Sequence, residues 1–115
     1  MNYTIEHKDN VVIFKLENQT VESSISTEFK AKMLILAQPD IDALIIDMSM
    51  VDAIDSSGLG ALLLANRQLK DHEIPVILVG VRDFVRSLMS MTKIDEVFNF
   101  FPTVEEAINA LEYEE

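Results

Sequence analysis

The chain has no cysteine and no tryptophan, and only three glycines and three prolines among its 115 residues. Without thiols there is no disulfide, no thiolate metal site and no cysteine nucleophile. Few glycines and prolines beside 49% apolar residues exclude a disordered chain, which would be depleted in Leu, Ile, Val and Phe. Positive charge is also scarce. Nine basic residues against twenty acidic ones give a formal charge of −11, which repels phosphate backbones and anionic headgroups and makes nucleic acid and membrane surfaces poor partners. The longest apolar runs, LGALLLA and IPVILVGV, fall well short of the roughly 20 residues of a membrane helix. The start, MNYTIEHKDN, lacks the basic-then-apolar order of a signal peptide, so a cytoplasmic protein is expected. The length suits a single domain over residues 1–115.

Tyr3 to His7 and Val11 to Leu16 read as β runs joined by the turn-prone Lys8-Asp9-Asn10, hence a hairpin. From Ser23 or Ser24 a helix is predicted, with Ile25, Phe29, Met33 and Leu36 at three- and four-residue steps until Pro39 stops it. Asp42 to Met48 and Ile74 to Gly80 are short continuous apolar runs, the pattern of buried parallel strands. Between them lie a loop at 49–55 and a helix at 57–71. A third helix is predicted over Val81 to Met91, with Phe84, Val85, Leu88 and Met89 on its inner stripe, followed by a short edge strand at Glu96 to Phe100. Thr103 caps a last helix with Val104, Ala107, Ile108 and Leu111 on one face, before an acidic tail at Glu112 to Glu115. The class is α/β: a mixed sheet of four to five strands, covered by about four helices, with a right-handed crossover between the two buried strands.

The segment Asp55-Ser56-Ser57-Gly58-Leu59-Gly60 opens the second helix. In α/β sheets, functional groups collect beyond the carboxyl ends of the parallel strands, where helix N-termini leave N–H groups unpaired. Asp55 or Ser56 suits the N-cap, yet a cap requires one such residue and explains neither a second hydroxyl nor Gly-x-Gly. Without a Cβ, Gly58 would let another molecule approach the backbone, and Gly60 would let the helix pack closely on its neighbour. On a helical wheel Leu59, Leu62, Leu63 and Leu69 face the sheet. Leu64 points elsewhere, either to a neighbouring helix or to a partner. Asn66 lies within the apolar stripe and is expected to bond a loop carbonyl.

This six-residue string, set after a buried strand and within the order hairpin, helix, strand, motif, helix, strand and terminal helices, resembles the STAS-domain anti-sigma-factor antagonists of bacteria. The resemblance covers nearly the whole chain. It implies a partner switch: the unphosphorylated form binds an anti-sigma factor that is also a serine kinase of the histidine-kinase-like ATPase type, and the sigma factor is freed. The kinase would phosphorylate the hydroxyl directly after the motif's Asp, here Ser56, with Ser57 as second choice, and a serine phosphatase would reverse it. Asp55, Ser57, Gly58, Leu59, Gly60, Leu64 and Glu22 would form the surrounding motif and partner surface. Family members often carry a glycine and then an acidic residue where the second strand ends. Here residues 16–22 read LENQTVE, with no glycine, so Glu22 stands in for the acidic residue and the turn must differ. No arginine adjoins the motif to neutralise an added phosphate, so repulsion at a partner interface is the expected effect of modification.

Other chemistries find little support. A serine hydrolase needs a histidine base, but His72 lies about 24 Å along the helix from Ser56, and His7 reads as a strand-end surface residue. Asp47, Asp52 and Asp55 lack the glycine-spaced order of a calcium loop, and Gly58-Leu59-Gly60 lacks the lysine of a phosphate-binding loop, so no metal, cofactor or small-molecule ligand is expected and the chain is not read as an enzyme. Arg82 and Arg86 read as a solvated helix face, or as contacts for an acidic partner. The competing role is a STAS docking or regulatory subunit of a phospholipid-transport ABC complex, never phosphorylated.

Overall fold

A computed structural model describes residues 1–112, so the expected acidic tail lies, beyond Glu112, outside the described residues. β1 (Tyr3–Lys8) and β2 (Val11–Leu16) form the predicted antiparallel hairpin, with Asp9 of the turn at φ 54°. β3 (Thr20–Val21) follows, then α1 (Ser23–Leu36), β4 (Ala43–Asp47), β5 (Ala53–Ile54), α2 (Ser56–Lys70) and β6 (Val76–Val79). α3 (Asp83–Met91), β7 (Asn99–Phe101) and α4 (Val104–Glu112) complete the described residues. Five strands make a mixed sheet in the order β1-β2-β4-β6-β7, parallel everywhere except in the hairpin.

The continuous apolar runs are explained by cover on both faces. Phe14, Leu44, Ile46 and Leu78 point to one side, where they meet Phe29 and Met33 of α1, Leu62 and Leu69 of α2, and Val85 and Met89 of α3. Ile13, Ile45, Ile77 and Val79 point to the other, against Ala107, Val104 and Ile108 of α4. Alternate side chains of a strand face opposite ways, so a strand covered twice must be apolar throughout. Tyr3, Phe14 and Phe29 stack in sequence, with centroids 5.4 and 5.8 Å apart. Thr103 caps α4 as expected, its Oγ1 accepting the Glu106 N–H at 3.1 Å.

Three expectations change. α3 starts at Asp83 rather than Val81, and Phe84, predicted to face inward, is 64% exposed. The helix packs through Val85 and Met89, and Phe84 lies about 100° around the axis from Val85. The strand expected at 96–100 is displaced by a 3-10 turn at Ile94–Val97, which begins where Lys93 adopts φ 61°, so the edge strand starts only at Asn99. The predicted loop at 49–55 contains β5, which pairs in parallel with β3 as a separate two-stranded sheet.

Candidate functional site

That small sheet builds the site. Val21 is in register with Ile54, so the residues that follow, Glu22 and Asp55, stand next to each other as the N-caps of α1 and α2. The two helices then run parallel. Ser26 meets Ser57, Lys30 lies against Gly60, and the Gln68 Nε2 donates to the Ala37 carbonyl at 2.9 Å. Gln68 therefore makes the loop-carbonyl bond expected of Asn66, whose side chain forms no hydrogen bond among the described residues.

Asp55, not Ser56, is the cap. Its Oδ1 accepts from the N–H groups of Ser57 and Gly58, both at 3.1 Å, and from the Ser57 hydroxyl at 2.5 Å. The Ser57 hydroxyl first, and then the Gly58 N–H, hold the Asp55 carboxyl below the usual aspartate range, and the N–H groups of Ser57 and of Ser23 at the head of α1 add to this. The carboxylate thus sits at the N-terminus of α2, where negative charge is favoured. A hydroxyl has one proton. The Ser26 hydroxyl donates to the Glu22 carbonyl at 2.9 Å, so Ser57 is the donor to Ser26 Oγ as well, at 2.9 Å, and shares its one proton between Asp55 and Ser26. Ser26 is 2% exposed, and this contact links the two helix entrances.

Ser57 is therefore half-buried and engaged, whereas Ser56 is exposed and has no hydrogen-bonded hydroxyl among the described residues. The role expected of Gly58 changes. A Cβ on Gly58 would sit 2.5 Å from Ile54 Cγ1 and 3.0 Å from Val21 Cγ1, so this glycine admits the chain's own core and not another molecule. Gly60 would meet only Lys30, at 3.6 Å, an ordinary contact at a half-exposed position. Leu59 turns into the core at 6% exposure. Leu64 is half-buried, between the levels of the Lys30–Gly60 and Ala37–Gln68 contacts, so it lies at the edge of the α1–α2 seam.

Glu22 is exposed. Its side chain makes no cap bond, while its carbonyl accepts the Ile25 and Ser26 N–H groups at 2.8 and 2.9 Å. The glycine-free stretch before it requires no glycine, because none of residues 16–22 has positive φ. Asn18 Oδ1 takes the Asn2 N–H at 2.7 Å, and the Gln19 carbonyl takes the N–H groups of Asp52 and Ala53 at 2.7 and 3.2 Å. On the other side, Gly80 holds φ 66° where a Cβ would come 2.8 Å from Ser49 Cβ. That close approach lets Arg82 donate from Nε to the Ser49 carbonyl at 2.8 Å and from Nη1 to Asp52 at 2.7 Å. Arg82 is thus a tie between two loops rather than a solvated helix residue, and the Arg86 guanidinium lies 3.5 Å over the Phe100 ring. Two concavities of about 650 and 600 Å³ lie on the opposite side of the sheet, beside α4, and neither is lined by the motif residues.

Ser26 was missed from sequence, and Arg82 was read there only as a helix face or a contact for an acidic partner, not as a tie between loops. Ser26 carries a weak signal, a polar residue three positions before Phe29 on the inward stripe of α1. Arg82 carries none, because its partners are 30 and 33 residues away.

A family model described as the STAS domain matches residues 2–107. The chain belongs to this family. An anti-sigma-factor antagonist STAS domain protein from Planctomyces limnophilus superposes with a TM-score of 0.87 at 20% identity, covering 95% of this chain and 96% of that one. The phosphorylated form of the Bacillus cell fate determinant SpoIIAA is similar with a TM-score of 0.75 at 20% identity, covering 96% and 99%. The murine anion transporter Slc26a9 contains a similar fold, with a TM-score of 0.78 at 19% identity, covering 95% of this chain and 19% of the transporter. The shared property is the fold: four helices and a five-stranded mixed sheet. No helix among the described residues is long and apolar enough to cross a membrane.

Proposed function

We propose that this STAS domain is an anti-sigma-factor antagonist, a protein-binding switch controlled by phosphorylation of Ser56. Unphosphorylated, it binds an anti-sigma factor that is also a serine kinase of the histidine-kinase-like ATPase type, and the sigma factor is released. A serine phosphatase restores the binding form. The observation that carries the reading is the contrast between neighbours: Ser56 is exposed at the first turn of α2, whereas the Ser57 hydroxyl is committed to Asp55 and Ser26. A phosphoryl group adds about −1.5 to −2 charges. Asp55 already occupies the Ser57 and Gly58 N–H groups, so the phosphate has little to draw it inward and stays at the surface. The domain keeps its shape, and the docking face becomes more negative and bulkier. The SpoIIAA solved in phosphorylated form has this fold, which supports the reading.

Intact-mass measurement tests it. The chain is incubated with ATP and the ATPase encoded beside it, as wild type, Ser56→Ala and Ser57→Ala. The gain of one phosphoryl group is expected in the wild type and in Ser57→Ala, and its persistence in Ser56→Ala rejects the site. A second reading, a docking subunit of a transport complex such as a phospholipid-transport ABC complex, is favoured by the same fold within an anion transporter. Stable co-purification with a permease, without any phosphoryl gain, selects that reading.

A further inference from the structure

The charge of the chain is unevenly placed. α1 and α2 together hold four of its nine basic residues, Lys30, Lys32, Arg67 and Lys70, and one of its twenty acidic ones, Glu28. Four positive charges against one negative leave the helix pair at +3, while the remainder of the chain carries −14. Glu28 is itself occupied, with the amino-terminal NH3⁺ 3.2 Å from its Oε1. None of the four cations is ion-paired among the described residues. Lys32 lies over the Tyr3 ring, 5.0 Å from its centroid, which leaves Lys30, Arg67 and Lys70 to the solvent side.

The helix pair also presents apolar side chains outward. Leu34 is 48% exposed and Ile35 66%, and Leu64 is half-buried at the edge of the α1–α2 seam. On α2, Gly60, Leu64 and Arg67 follow one another at steps of four and three, and on α1 Lys30 and Leu34 are four apart, so each set lies along one outward stripe. Because the helices are parallel, the stripes lie side by side, and Gly60 contributes no side chain to the furrow between them.

Charge decides what suits this surface. A second copy laid face to face would set cations on cations, and an anionic bilayer would be repelled by the acidic remainder of the chain. An acidic helix with an apolar stripe meets both features at once. We propose that the outer face of α1 and α2 docks an acidic amphipathic helix of a partner protein, with its apolar residues on Leu34 and Leu64 and its carboxylates on Lys30 and Arg67. This goes beyond the switch reading and holds whether or not Ser56 is modified.

The test pans a displayed library of amphipathic helices, randomised in charge, against the whole chain. Selected helices are expected to be rich in Asp and Glu, to lose affinity as salt rises, and to bind Lys30→Glu/Arg67→Glu about tenfold or more weakly. Exchanging the acids of a selected helix for Lys restores binding to that double variant, which excludes misfolding as the cause of the loss. Recovery of no helix, of neutral or basic helices, or of helices indifferent to the double variant overturns the proposal. Binding to phosphatidylserine vesicles that the double variant abolishes overturns it in favour of lipid, and a dimer in sedimentation velocity that the double variant dissociates overturns it in favour of a second copy. Neither kinase nor ATP enters this assay, so its outcome is separate from that of the phosphoryl-transfer test.

Discussion

The entrances of α1 and α2 lie side by side and each is led by an acidic residue, yet the two residues behave differently. Asp55 folds its carboxylate back onto the N–H groups of its own helix, whereas Glu22 keeps its side chain off the helix end and in solvent. One methylene separates them. The shorter side chain reaches the first-turn donors in the geometry of an N-cap, and the longer one overshoots them. The α2 entrance is consequently fixed by its own side chains, with Ser57 linking it to Ser26, while the α1 entrance is closed mainly by main-chain bonds to the Glu22 carbonyl.

This contrast can be pressed by substitution, with urea midpoints as the measure. Gly58→Val should have the largest effect, about 1–3 kcal/mol of destabilisation, because its side chain enters space held by Ile54 and Val21. Asp55→Ala should come next, since it strips the α2 entrance of its cap. Its cost depends on pH. The folded state holds this carboxyl below its ordinary value, so the wild-type advantage is complete above the unfolded value of about 3.9 and disappears as pH falls through the lowered one. A gap between wild type and Asp55→Ala that stays constant through acid would refute the capping account. Ser57→Ala should cost about 1 kcal/mol for the lost hydroxyl link. At the small end, Gly60→Ala should raise stability by about 0.5–1 kcal/mol through helix propensity, and Glu22→Ala should stay within about 0.5 kcal/mol. Equal losses from Glu22→Ala and Asp55→Ala would erase the distinction between the entrances.

The strands and helices of the main sheet were legible because burial on both faces writes continuous apolar runs, and because helix stripes recur at steps of three and four. β3 and β5 were not. Two residues have no period, and pairing of Thr20–Val21 with Ala53–Ile54 is decided only once α1 and β4 have brought the segments together. The glycines of the motif were visible but the role of Gly58 was not, since the side chains facing its missing Cβ come from tertiary contacts with Ile54 and Val21. Phe84 was misplaced for a related reason: Phe84, Val85, Leu88 and Met89 span an arc of about 140°, and tertiary packing centres the buried side on Val85 and Met89, which leaves Phe84 at the outer edge. The choice between Asp55 and Ser56 as cap was left open because either side chain can accept an N–H, and local geometry settles it for Asp55.

Placing +3 on one pair of helices and −14 on the rest gives the molecule an electric dipole moment. Such a body turns in the field of an approaching protein before the surfaces touch, so that orientation is chosen during diffusion rather than by trial contacts. Ions at physiological strength shorten that reach to about 8 Å, and the preference is exerted in the last few water layers of an encounter.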